Sequence, residues 1–110
     1  MIDVLLLMTA RQVGGAELYV ERLAGALTGS CRFTVVASDS VDMAPLAARL
    51  ASLPNVTAVL RRPFDSTLSL PGLTRELRAL AGRHHLVHLN SNHPVSRLGI
   101  WAGFALRGLP

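Results

Sequence analysis

Lysine is absent from this sequence, so that all 11 of its basic side chains are arginines. A Schiff base, a lysine general base and the phosphate-binding lysine of a P-loop are therefore excluded. Cysteine is almost absent, because Cys31 stands alone. A single thiol can form neither an internal disulfide nor a multi-cysteine zinc site, which favours a reducing compartment.

Aromatic residues and clustered charge are also scarce. The chain has three Phe, one Trp and one Tyr, and a net charge of +4 whose arginines are spread singly apart from the pair Arg61 and Arg62. Nucleic-acid recognition favours a basic cluster interleaved with stacking rings. We therefore expect no nucleic-acid partner. We expect the two adjacent arginines to form a solvated loop, with contact to an acidic substrate as the alternative.

Long apolar runs are missing as well. The run from Ile2 to Met8 ends before it reaches the length of a membrane span, and Asp3 occupies a position where a signal peptide would be basic. This run is typical of a buried strand. We expect a cytoplasmic protein, with a peripheral position at the inner membrane face as the alternative.

What the sequence does contain is a regular alternation of strand-like and helical segments. Half of its 110 residues are apolar and 16% are charged, which predicts a packed core. The strands are predicted at 2–8, 33–37, 55–60 and 86–90, and the helical segments at 16–27, 43–53, 70–81 and 95–105. This alternation predicts an α/β fold with a Rossmann-like parallel sheet of four β-α units in the order 3-2-1-4. On the first helix, Glu17 is predicted to lie on the outward face.

The last strand-helix unit is expected to leave strand four as an open apolar edge. Doubly wound sheets normally continue into a fifth strand, whereas this sequence stops at residue 110. An open edge invites strand pairing. We therefore expect either self-association or contact with a missing C-terminal half.

Two polar loops are predicted to meet in the ligand crevice of such a sheet, at the carboxyl ends of strands one and four. The loop 9–15 ends in Gly14 and Gly15, directly before the first helix. Free backbone N–H groups and the helix dipole at this point suit a phosphate, although a plain strand-to-helix turn is an equally good explanation. Asn90 begins the second loop, which runs to Pro94.

A dinucleotide site and a metal site are the other candidates. Asp39 follows the second strand, where an acid would bind a ribose, but the three glycines of a GxGxxG motif are not there. His84 and His85 are expected to be solvated at the far edge of the sheet, and His88 is expected to be packed and hydrogen-bonded. Three convergent ligands are not visible, so no metal site is predicted.

The segment from Val13 to Leu27 closely resembles the start of GT-B glycosyltransferases of the large retaining family four, formerly "group 1". The likeness continues at Phe33 to Ala37, at Leu86 to His88 and at Leu106 to Pro110. Together these segments cover most of the chain in the right order and spacing. The resemblance implies that residues 1–110 are a partial N-terminal, acceptor-side domain of a GT-B enzyme whose C-terminal donor-binding domain is absent.

Several functional assignments follow from this resemblance. It implies that the backbone at Gly14, Gly15 and Ala16 contacts the diphosphate of a nucleotide-sugar donor. The acceptor side would be lined by the loop after strand four, at Asn90, Ser91, Asn92 and His93. The acceptor itself is unidentified and would be a sugar, a lipid-linked compound or a small molecule.

The same resemblance implies transfer with retention, without a required metal or cofactor. Two positions depart from the family pattern, which commonly has an acid at His85 and a second histidine at Asn90. The family's catalytic-region histidine and its donor-binding glutamates lie in segments that this chain does not encode. We therefore assign no catalytic residue and expect the 110-residue chain alone to be inactive. The alternatives are a non-catalytic α/β interaction domain and, third, an NAD-binding half-domain.

Overall fold

A computed structural model describes residues 1–64 and 70–90 of the chain. Its elements are β1 (Ile2–Met8), α1 (Gly15–Ala26), β2 (Cys31–Ser38), a 3-10 turn (Val41–Met43), α2 (Ala44–Ala51), β3 (Val56–Arg62), α3 (Leu70–Ala81) and β4 (Leu86–Asn90). The four strands form one parallel sheet in the order β3-β2-β1-β4. The predicted α/β fold and strand order are confirmed. The helix predicted over 95–105 lies outside the described residues.

Strand β1 lies inside the sheet and is buried on both of its faces. Val4, Leu6 and Met8 point into a core formed with α1 and α2. Leu5 and Leu7 point the opposite way, into a core formed with α3. A continuous apolar run is what a parallel strand covered on both faces requires. Because α1 and α2 cover one face and α3 the other, the winding reverses between β1 and β4, which defines the crevice.

The helices pack through apolar residues spaced three and four apart. Helix α1 buries Val20 and Ala24, and α2, which has Pro45 in its first turn, buries its leucines. In α3 the buried positions are Leu73, Leu77 and Ala81. The buried amide of Asn55 joins two elements, since its Nδ2 donates to the carbonyl oxygens of Ala24 at 2.9 Å and Cys31 at 3.2 Å.

The third strand is longer than predicted, because it includes both adjacent arginines. Arg61 donates from Nε to the carbonyl oxygen of Ser38 at 2.7 Å and from Nη2 to that of Ser40 at 2.6 Å. Arg62 forms a two-pronged ion pair with Glu76 of α3 at 2.8 and 2.9 Å. The expected solvated loop is therefore wrong. The partners come from β2 and α3, which are remote in sequence.

The ion pair between Arg62 and Glu76 predicts a pH-dependent contribution to stability. The hydrogen bond from Arg62, followed by its positive charge, lowers the pKa of Glu76 below its ordinary value of 4.5, and partial desolvation opposes this shift. A lowered carboxyl pKa stabilises the fold above the unfolded-state pKa, and this stabilisation is lost as pH falls through the folded-state pKa. Both side chains are about one-third exposed, so solvent screening keeps the contribution below about 1 kcal/mol.

Urea denaturation of the Glu76→Gln variant at two pH values tests this contribution. At pH 7 we expect a decrease in the free energy of unfolding of less than about 1 kcal/mol. At about pH 3 the two proteins should approach equal stability, because acid also neutralises Glu76 in the parent. A difference that grows in acid would contradict the ion pair as its source.

Candidate functional site

The crevice is built where the carboxyl ends of β1 and β4 lie side by side. Met8 and Asn90, the last residues of these strands, are partners in the parallel register. From Met8 the chain passes through the loop 9–14 into α1, whose N-terminus therefore faces the same edge of the sheet. The sheet thus brings together the glycine loop and the start of the Asn90 loop, as the sequence predicts.

Gly14 is the N-cap of α1, and its contacts are internal to the protein. Its backbone is extended and its N–H donates to Oε1 of Glu17 at 2.8 Å. A Cβ atom at Gly14 would lie 3.3 Å from this same oxygen, which is a tight contact. The N–H of Gly14 is therefore already engaged by an acceptor within the protein.

Gly15 differs from its neighbour, because it opens on free space. A Cβ atom at Gly15 would meet no atom within 4 Å. The N–H groups of Gly15 and Ala16 lie in the first turn of α1, where no intrahelical acceptor exists, and no described residue accepts a hydrogen bond from them. Two donors at the positive end of a helix are therefore accessible to a ligand.

Glu17 is the residue whose position the sequence pattern misplaces. The helical pattern predicts it on the outward face of α1, but its side chain is 0% exposed. Oε1 accepts from Gly14, and Oε2 accepts from Nδ2 of Asn90 at 3.3 Å. The physical reason is capping: a glutamate three residues after the N-cap turns back to accept the unpaired N–H. That spacing is the signal in the sequence that could have found it.

The buried carboxylate restricts where an anion can bind. Glu17 places a negative side chain against the Gly14 side of the helix N-terminus. An approaching phosphate is repelled by this carboxylate, and the repulsion is stronger where water is partly excluded. We therefore expect an anion to contact the N–H groups of Gly15 and Ala16 and to avoid Gly14.

A second hydrogen bond holds the glycine loop, residues 9–15, against the chain that follows β2. The hydroxyl of Ser40 donates to the carbonyl oxygen of Arg11 at 2.6 Å. Arg11, Gln12, Ser40 and Asp42 line a polar cleft of about 290 Å³ at this point. The loop is thus anchored on one side by Ser40 and on the other by Glu17, which gives the crevice a defined wall.

Of the remaining predicted site residues, the structure describes Asn90 and Asp39 and does not describe the other three. Asn90 is half-buried at the end of β4, in contact with Glu17, although its role toward an acceptor stays a prediction. Ser91, Asn92 and His93 lie outside the described residues. Asp39, the candidate ribose ligand of the dinucleotide alternative, is exposed directly after β2.

The three described histidines lie in different environments and do not form a cluster at the crevice. The sequence predicts a solvated His84, but its ring nitrogens lie 2.6 Å from the carbonyl oxygen of Leu80 and 2.9 Å from the hydroxyl of Thr34. His85 is exposed, as predicted, and accepts from the N–H of Asp3 at 2.9 Å. His88 is exposed, so its predicted packing is wrong: its ring lines the open groove between α1 and β4, where no described helix covers it.

Within residues 1–64 and 70–90 no group of three or more His, Cys, Asp and Glu side chains could hold a metal ion. The helices over the same ranges are too short or too polar to cross a membrane. Comparison of the chain with protein-family models, with curated proteins and with solved structures gave no match.

Proposed function

We propose that this chain is the N-terminal, acceptor-side part of a GT-B glycosyltransferase of the retaining family four type. The observation that carries the proposal is the open helix N-terminus at Gly15 and Ala16, in the crevice of a sheet with the order β3-β2-β1-β4. It is supported by the sequence resemblance, which spans most of the chain. The donor in this proposal is a nucleotide sugar in a complete enzyme.

The chemistry of a diphosphate suits this helix N-terminus. Phosphate oxygens accept hydrogen bonds from backbone N–H groups, and the helix dipole stabilises negative charge. The absence of a side chain at Gly15 lets the ligand approach the backbone closely. In this proposal the donor's own phosphate oxygens assist transfer, no metal is required, and the chain binds and orients substrates without catalysing transfer alone.

A second candidate function is a non-catalytic α/β interaction domain. It is favoured by an apolar groove of about 240 Å³ between α1 and β4, whose lining includes Leu23, Leu27 and Leu86. A second copy or a C-terminal half would bury these side chains. Sedimentation velocity tests this candidate, because a monomer that stays soluble at high concentration would argue against a surface that drives association.

Calorimetric titration of the chain with UDP, GDP, UMP and NAD tests the primary proposal. UDP or GDP should bind, and UMP should bind at least about tenfold more weakly than UDP because it lacks the second phosphate. Tighter binding of NAD than of either diphosphate would favour the NAD-binding half-domain. No binding of any diphosphate at millimolar concentration would contradict a phosphate site at Gly15.

A further inference from the structure

The buried carboxylate of Glu17 connects the two loops that form the crevice. Its Oε1 is held by the backbone N–H of Gly14 at the start of α1, and its Oε2 by the side chain of Asn90 at the end of β4. The two partners lie far apart in the chain, in its first strand-helix connection and at the end of its fourth strand. One side chain therefore sets the relative position of the donor side and the acceptor side of the proposed site.

The charge of Glu17 also determines which end of the Asn90 amide is left for other partners. An ionised carboxylate only accepts hydrogen bonds, so the atom of Asn90 that faces Oε2 has to be the donor Nδ2. Oδ1 of Asn90 then accepts no hydrogen bond from the described residues, and it is not among their buried unpaired polar atoms. Oδ1 of the half-buried Asn90 is therefore the acceptor that this residue has left for a further partner at the end of β4.

We propose that Glu17 is a positioning residue that orients the Asn90 amide so that Oδ1 accepts a hydrogen bond from a hydroxyl of the acceptor substrate. The ligand class is a polyhydroxyl compound, such as a sugar, since a hydroxyl donates to an amide oxygen. The identity of this ligand as an acceptor rests on the proposed function. The orientation of Asn90 by Glu17 does not.

The variant Glu17→Gln tests the orientation with little change in shape. Its Oε1 can still accept from Gly14, but its amide nitrogen then faces Asn90 and requires an acceptor. The Asn90 amide is expected to turn over, so that Nδ2 replaces Oδ1 at the free position. Nuclear magnetic resonance of the Asn90 side-chain NH2 group, in the parent and in this variant, reports that change directly.

Exchanging the carboxylate and the amide between positions 17 and 90 tests whether the contact can be restored. In Asn90→Asp two carboxylates would face each other across the 3.3 Å contact and repel. In the double variant Glu17→Gln, Asn90→Asp, the glutamine amide donates to one oxygen of the carboxylate introduced at the end of β4 and leaves the other oxygen as an acceptor. The double variant should therefore recover what each single variant loses.

The probes are methyl glucoside, methyl mannoside and methyl galactoside, followed by chemical-shift perturbation, with UDP titrated in parallel. At least one glycoside should shift the Asn90 side-chain resonance in the parent. Affinities in all variants are taken from backbone amide shifts, and they should fall about tenfold in each single variant and return to within about threefold of the parent in the double variant. UDP should bind Glu17→Gln as tightly as the parent or more tightly, because the variant removes a negative charge beside the phosphate.

These opposite effects separate positioning from simple damage to the fold, which would weaken both ligands. Glu21→Gln, one turn further along α1 in a surface pair with Arg49, is the control and should leave both affinities unchanged. An unchanged Asn90 resonance in Glu17→Gln, or no glycoside effect in the parent, would overturn this inference. If the parent binds a glycoside but does not bind UDP, the result would contradict the proposed donor site alone.

Discussion

Replacing Leu6 by Ala is expected to lower the free energy of unfolding by about 2–5 kcal/mol. Leu6 is 1% exposed in the middle of β1, between Val35 of β2 and His88 of β4 in the sheet register. Truncation removes apolar contacts to the core under α1 and leaves a cavity that the two neighbouring strands hold open. Stability is expected to fall far enough to lower the denaturation midpoint clearly.

Urea denaturation followed by circular dichroism measures this effect. The control is Leu18→Ala on α1, where the same side chain is 40% exposed and the change should stay within about 0.5 kcal/mol. Equal losses for the two variants would show that Leu6 is not a buried core residue. The pair separates cavity formation from the smaller size of alanine in general.

Replacing Gly15 by Val is expected to weaken UDP binding about tenfold to a hundredfold. The valine side chain would block close approach of the phosphate to the backbone. The expected decrease in affinity corresponds to the loss of one hydrogen bond to a charged group, about 1.5–3 kcal/mol. A Cβ atom at this position meets no protein atom within 4 Å, so the fold itself should accommodate the change. The variant is therefore expected to lose binding and to keep its stability.

Gly29→Val is the matched control, because a Cβ atom at Gly29 also meets nothing within 4 Å. Gly29 lies in the turn between α1 and β2, at the amino ends of the strands, whereas the crevice lies at their carboxyl ends. Titration with UDP should give parental affinity for Gly29→Val and reduced affinity for Gly15→Val. Parental affinity for both would remove Gly15 from the phosphate site.

Most of the fold could be predicted because apolar periodicity is local. The bounds of β1 at Ile2 and Met8, and of β4 at Leu86 and Asn90, agree with the prediction, since each strand is an apolar run flanked by polar or turn residues. The order of the strands also followed, because right-handed crossovers leave few arrangements for alternating strands and helices. The glycine loop and Asn90 came together for the same reason.

The polar contacts could not be predicted in the same way, because their partners are far apart in the chain. Glu17 reaches Asn90 across the crevice, and Arg62 reaches Glu76 on the next helix. His84 reaches Thr34 on β2. A charged or polar residue in a sequence is by default assigned to the solvent, and only the packed elements show that a partner lies opposite it.

The sequence by itself therefore determined the class of fold, the order of the strands and the location of the crevice, because these depend on periodic burial and chain direction. The capping spacing between Gly14 and Glu17 is present in the sequence, but only the tertiary structure showed that this glutamate is buried and bonded to Asn90 as well. Gly14 and Gly15 are equivalent in sequence, but a buried carboxylate uses the N–H of Gly14 and leaves that of Gly15 open. The difference arises because Glu17 is placed by helix capping and by Asn90, which the sheet brings beside it.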